Sequence, residues 1–129
     1  MKADTHDWVR YAEEDFEVAR TLLESRRKLT PNSVCFHCQQ SIEKYLKARL
    51  VEAGMTVPKT HDLEALLNLL LPLEPLWDSF RPTLNLLGGT AVKARYPGHD
   101  LQREDARFAL KTCRTIRKEV RLALGLTAT

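Results

Sequence analysis

Chemistry-bearing side chains concentrate at Lys93-Ala94-Arg95-Tyr96-Pro97-Gly98-His99-Asp100, where an arginine, a tyrosine, a histidine and an aspartate crowd around a Pro-Gly pair. A histidine titrates near neutral pH and can move protons. A guanidinium can hold an anion through paired N–H groups. The same residues also suit a plain turn between two helices, with Arg95 paired to Asp15 of the first helix and Asp100 capping the last one. Both readings stay open on sequence.

A second set lies in Cys35 to Leu50, CFHCQQSIEKYLKARL. Cys35 and Cys38 have zinc-like spacing, but both fall on the apolar stripe of a continuous helix. No second Cys-x-x-Cys completes a site, so no metal and no cofactor is expected. Beside that stripe stand His37, Gln39, Gln40, Glu43, Lys44 and Lys47. They read as helix surface with a Glu43–Lys47 pair at i,i+4, or as a polar network that meets Asp15. The third set is basic: Arg107, Lys111, Arg114, Lys118 and Arg121 step by four and three along one face of the last helix. Such a stripe suits a phosphate backbone or an acidic partner, and equally a solvated face. His6 and His61 stand out in no pattern, and no Gly-rich phosphate loop or Ser/His/Asp arrangement is present.

The elements that must position these residues are helical. Trp8, Tyr11, Ala12, Val18, Ala19, Leu22 and Leu23 predict a helix from about Asp4 or Thr5 to Ser25. Asp15 falls in that stripe and needs a partner if it faces a core, whereas Glu13, Glu14 and Glu17 read as solvated. Thr30-Pro31 has the form of an N-cap and a first-turn proline. The second helix then runs from about Asn32 to Ala53 and stops at Gly54, with Cys35, Cys38, Ile42, Leu46, Leu50 and Ala53 as its stripe. Thr60 is expected to cap a helix carrying Leu63, Leu66, Leu67 and Leu70, which Pro72 ends. A further piece from Leu73 carries Leu76, Phe80, Leu84 and Leu87, with Pro82 splitting it and Gly88-Gly89 closing it. The last helix spans about Leu101 to Leu124, its core made by Ala109, Cys113, Ile116, Val120, Ala123 and Leu124. The expectation is an all-α fold, an up-and-down four-helix bundle with the third element broken into two shorter helices.

Bulk properties agree. The chain has 129 residues, 43% hydrophobic and 29% charged, the size of one domain and the composition of a folded one. A single helical domain over residues 1–129 is expected. No apolar run reaches the ~20 residues needed to cross a bilayer. The polar, acidic N-terminus is unlike a signal peptide, so a cytoplasmic location without membrane contact is expected. Three cysteines, an odd number without a disulfide framework, fit reduced buried thiols. The net charge of +3 is concentrated: between Arg103 and Arg121 seven basic residues face three acidic ones.

FHCQQSIEKYLKARL, preceded by the Ala12, Asp15, Ala19 pattern and followed by THDL (Thr60 to Leu63) and ARYP (Ala94 to Pro97), resembles the HEPN family over about Asp7 to Leu124. The resemblance implies a helical bundle that commonly forms homodimers and binds RNA or nucleotides. It also implies a possible minimal nucleotidyltransferase as protein partner, in a toxin–antitoxin setting. Many such proteins are metal-independent ribonucleases with an Arg-x(4–6)-His motif before or at the start of the last helix, two copies meeting across the dimer. Arg95 and His99 occupy that place with only three residues between them, one fewer than the usual minimum. On this reading Arg95 holds the scissile phosphate and His99 moves the 2′-hydroxyl proton, with Asp100 orienting it. The residues expected to bind are Asp15, His37, Lys44, Lys47, Tyr96, Arg107, Lys111, Arg114 and Lys118. A non-enzymatic interaction subunit, docking an acidic protein through the basic helix, is the third reading.

Overall fold

The computed structural model describes residues 1–25, 31–98 and 100–129. Its order is α1 (Ala3–Glu24), α2 (Pro31–Glu52), α3 (Leu63–Leu70), a 3₁₀ segment (Pro75–Phe80), α4 (Arg81–Lys93) and α5 (Arg103–Ala123). This is the expected all-helical bundle, with the third element broken between α3 and α4.

α2 is the axis of the bundle and packs against α1, α5, α3 and α4. It is therefore buried almost all round: Val34, Cys35, Cys38, Ile42, Tyr45, Leu46, Ala48 and Leu50 are all inaccessible or nearly so. Each large aliphatic chain removed from water here contributes about 1.5–3 kcal/mol. The helix ends where Gly54 takes φ +75°, with Gly54 N–H donating to Val51 O and Met55 N–H to Leu50 O. That is a left-handed C-terminal cap, and glycine accepts it without strain.

α1 buries Thr5, Val9, Ala12, Phe16 and Ala19, a strict four-three repeat. The sequence stripe had placed Tyr11 and Val18 inward, yet both are exposed at 46% and 40%. The helix is rolled so that Val9 and Phe16 fill the seam with α2, and small Ala12 lets Ser41 Oγ donate to Ala12 O at 2.8 Å. α3 is capped by Asp62, whose carboxylate accepts from Glu64 N and Ala65 N. Thr60, the expected cap, instead accepts from Asp62 N–H and closes the turn before it. Thr30, expected to cap α2, lies outside the described residues. The 3₁₀ turn leaves Leu76 out of the core, 87% exposed, and turns Trp77 in.

Two further differences bear on function. α4 runs straight through Gly88-Gly89 to Lys93 instead of closing there. At the start of α5, Asp105 accepts from Gln102 N–H at 2.8 Å, so the cap is Gln102 with Asp105 and not Asp100. α5 buries Ala106, Ala109, Leu110, Thr112, Cys113, Ile116 and Val120 against α2, and Ala123 is exposed. No helix among the described residues is long and apolar enough to cross a membrane.

Candidate functional site

Three polar assemblies surround α2. The first lies on the α1 seam, where Asp15, 13% exposed, receives His37 Nδ1 at 2.8 Å and Lys44 Nζ. Asp15 does meet the polar set of α2, through His37 and Lys44 and not through Arg95. The Asp15 carboxylate and the Lys44 ammonium answer each other, and the His37 ring adds a hydrogen-bond contact.

The second joins α1, α2 and α5. Glu13 accepts from Arg117 Nε at 3.0 and 3.1 Å, from Arg121 Nη1 at 2.7 Å, and from the Tyr45 hydroxyl. Expected to be solvated, Glu13 is the acceptor at which three helices converge. Burial pushes the Tyr45 hydroxyl pKa up, and the Glu13 carboxylate pushes it further. Arg117 is buried against its charge, yet the Glu13 contact holds its pKa above the ordinary guanidinium value. Arg121, a member of the sequence stripe, thus faces inward, where it also donates to Thr127 O. The face left on α5 is Arg107, Lys111, Arg114 and Lys118. All four are exposed, and none is in an ion pair among the described residues. They span about 16 Å at 1.5 Å per residue.

The third assembly is a groove of about 570 Å³ between α2 and α4, walled by Phe36, Gln39 and Gln40 on one side and Ala91, Ala94 and Arg95 on the other. A second groove of about 460 Å³ continues toward α3, past Asp62, Glu64 and Asn85. Gln39, His61 and Arg95 line both, so they mark the junction. The floor of the second groove includes Gly88 and Gly89, where a Cβ would meet nothing within 4 Å. A helical glycine costs about 1 kcal/mol relative to alanine. Here the two keep a helix surface bare beside open space.

His61 is held at the junction from two directions. The Thr60–Asp62 turn fixes its backbone, and its Nδ1 lies 2.9 Å from Glu43 Oε1. The other Glu43 oxygen accepts from Lys47 Nζ at 3.0 Å, and that ammonium sits 5.6 Å from the centre of the Trp8 ring. Glu43 and Lys47 are 4% and 8% exposed, so this i,i+4 pair is interior and not helix surface. The His61 side chain is 74% exposed. Close by, Gln39 Oε1 is buried with no hydrogen-bond partner among the described residues. Arg95 and Tyr96 are exposed, and no ion pair of Arg95 occurs among the described residues. His99 lies outside the described residues. Phe36, 56% exposed on the groove wall, packs edge-on against His37 with centroids 5.2 Å apart.

The cysteines are core. Cys35, Cys38 and Cys113 are buried free thiols. Burial, with a contribution from Asp105, pushes Cys35 up to about 12. Contact with Cys113, then burial, pushes Cys38 up as well. Both thiols are thereby held in the inert protonated form.

A family model described as HEPN domain matches residues 5–123, nearly the whole chain. The chain belongs to the HEPN domain family. At the level of the family, that places it among nucleotide- and RNA-related modules. No curated protein and no solved structure matches the chain. The blocks THDL and ARYP, far apart in this HEPN sequence, meet in space: His61 and Arg95 line the same groove. What sequence reading missed is the weight of His61 and Gln39. Glu43 and His61 are 18 residues apart across a helix end and a loop, where periodicity carries no signal.

Proposed function

We propose that this HEPN domain is an RNA- or nucleotide-binding module whose polyanion-binding surface is the exposed face of α5. The observation that carries the reading is the row Arg107, Lys111, Arg114, Lys118, four exposed cations without ion pairs among the described residues. Their neighbours Arg117 and Arg121 turn inward to Glu13. A row of unpaired cations is matched to a phosphate backbone, and its binding falls steeply with salt through counterion release. A toxin–antitoxin setting, a homodimer and a minimal nucleotidyltransferase partner belong to the same proposal. Fluorescence anisotropy with single-stranded RNA tests it. With four phosphates neutralised, the log–log salt slope is roughly −3, and Arg114→Glu or Lys118→Glu weakens binding and flattens that slope. Binding indifferent to both substitutions removes α5 from the role. Recovery of an acidic protein on the same face, with no RNA bound, supports the interaction-subunit reading instead.

A second reading, a metal-independent ribonuclease, is favoured by one feature: Arg95 stands exposed at the junction of two grooves, free of ion pairs among the described residues. Its proposed partner is His99, and loss of RNA cleavage in His99→Ala supports that pairing.

A further inference from the structure

The groove holds a second candidate for the imidazole of that chemistry. An interior Glu–Lys pair is a costly way to fill space, because both charges lose their hydration. Glu43 and Lys47 accept that cost, and Glu43 directs its free oxygen to an imidazole that is itself mostly in solvent. Packing does not account for this, since an exposed ring gains little from burial. Orientation does. An ionised carboxylate can only accept, so His61 donates through Nδ1, and the neutral form of the imidazole has its lone pair at Nε2. A buried carboxylate fixing the tautomer of a solvent-facing histidine is the arrangement that makes an imidazole an effective proton acceptor.

Other side chains line the same junction. Gln39 lines the same two grooves, and its Oε1 is buried without a hydrogen-bond partner among the described residues. Arg95 offers an exposed guanidinium at the same junction. Beside these, Phe36 supplies an exposed aromatic edge on the groove wall, a platform on which a base can stack.

We infer that His61, oriented by Glu43, is the catalytic general base of an RNA transesterification site at the α2–α4 groove; this rests on the ribonuclease reading but assigns the proton transfer to His61 in place of His99. His61 Nε2 takes the proton of a ribose 2′-hydroxyl. The 2′-oxygen bonds to the adjacent phosphorus while Arg95 holds the phosphate oxygens. The bond from phosphorus to the 5′-oxygen breaks, and that oxygen leaves with the electron pair and takes a proton from solvent. The imidazolium returns its proton to solvent, so the step is a net rearrangement into a 2′,3′-cyclic phosphate end and a 5′-hydroxyl end. Glu43 and Lys47 are positioning residues.

The test uses the full chain with a single-stranded oligoribonucleotide carrying a fluorophore and a quencher, in EDTA, with anisotropy binding measured in parallel. The expected result is cleavage that leaves a 2′,3′-cyclic phosphate, that falls by about 100-fold or more in His61→Ala and His61→Gln with binding retained, and that persists in His99→Ala. Glu43→Gln should lower kcat with little change in KM and displace the limb of the pH–rate profile that reports His61. The charged groups around that ring are Glu43 and Lys47 of α2, Arg95 after α4, and Asp62 and Glu64 at the start of α3. Cleavage unchanged in both His61 variants overturns the assignment. RNA binding without any cleavage by the unaltered protein also overturns it while leaving the binding proposal standing, and absence of RNA binding removes both.

Discussion

The Glu13 junction and the α2–α4 groove are both polar, both touch α2, and are finished in opposite ways. At Glu13 every group is answered: two arginines and a tyrosine converge on one carboxylate, and the arginines donate onward to Ala128 O and Thr127 O. Arg117 also stacks over the Phe16 ring at 4.7 Å. At the groove the account is left open, with a Gln39 oxygen that has no partner among the described residues, an exposed Arg95 and a half-committed His61. Saturated hydrogen bonding marks a structural joint, whereas the groove leaves an exposed guanidinium and imidazole beside open space. The two regions should therefore respond oppositely to mutation.

The largest effect is expected at the closed junction. Glu13→Leu leaves Arg117, Arg121 and the Tyr45 hydroxyl without their common acceptor, in surroundings where the arginines are only 15% and 13% exposed. The cost should be about 2–4 kcal/mol, read as a lowered urea midpoint with an unchanged m-value. RNA binding by the folded fraction should be untouched. A loss below about 0.5 kcal/mol would mean that Glu13 is an ordinary surface carboxylate and that the contrast with the groove is false.

The open region should behave in reverse. Gln39→Leu removes an acceptor that has no partner among the described residues, so stability should hold or rise by about 1 kcal/mol while nucleotide or RNA affinity at the groove falls. Gly89→Ala should add about 1 kcal/mol to the helix, because a methyl there meets nothing, and should obstruct the groove. Thermal unfolding and RNA titration on the same preparations separate the two quantities. Destabilisation by both substitutions would show that the groove is as closed as the Glu13 junction.

Legibility in the sequence followed the same divide. The apolar stripe of α2 was legible at Cys35, Cys38, Ile42, Leu46 and Leu50, which repeat at helical spacing and are buried, whereas Ala53 is exposed and the Glu43–Lys47 pair is interior. The basic face of α5 and the partnering of Asp15 were legible for the same reason, each resting on one or two helical periods. What failed needed distance. Glu13 contacts residues 104 and 108 positions away, and no local pattern separates it from Glu14 or Glu17. Gly88-Gly89 reads locally as a helix stop, yet tertiary packing carries α4 through it, with Leu84 and Leu87 anchored in the core. Propensity lost to burial there. His61 was invisible because its meaning depends on Glu43, and the turn that joins them is set by Asp62 and Thr60 together.

The smallest effect concerns acid, and it also falls on the closed side. Glu52 at the end of α2 accepts from Lys2 N–H and from the Thr5 hydroxyl, both at 2.9 Å, which lashes the start of α1 to the end of α2. The backbone N–H, followed by the hydroxyl, holds its pKa below the ordinary carboxylate value. Glu17 is lowered in the same way by its hydrogen bond from Arg20. For a carboxylate whose folded pKa is depressed, the unfolded chain binds more protons through the interval, so stability rises with pH there. Its contribution is complete above the unfolded pKa of roughly 4.3 and is lost as pH falls through the folded value. Glu52→Gln should therefore be less stable than the unaltered chain at neutral pH, with the gap between their melting temperatures closing at the acid end. The same titration on Gln39→Leu should show a gap that does not move with pH, since no proton is exchanged at an amide. A Glu52→Gln gap that is constant from neutral pH to acid would assign Glu52 a packing role and leave the α1–α2 lashing without an electrostatic component.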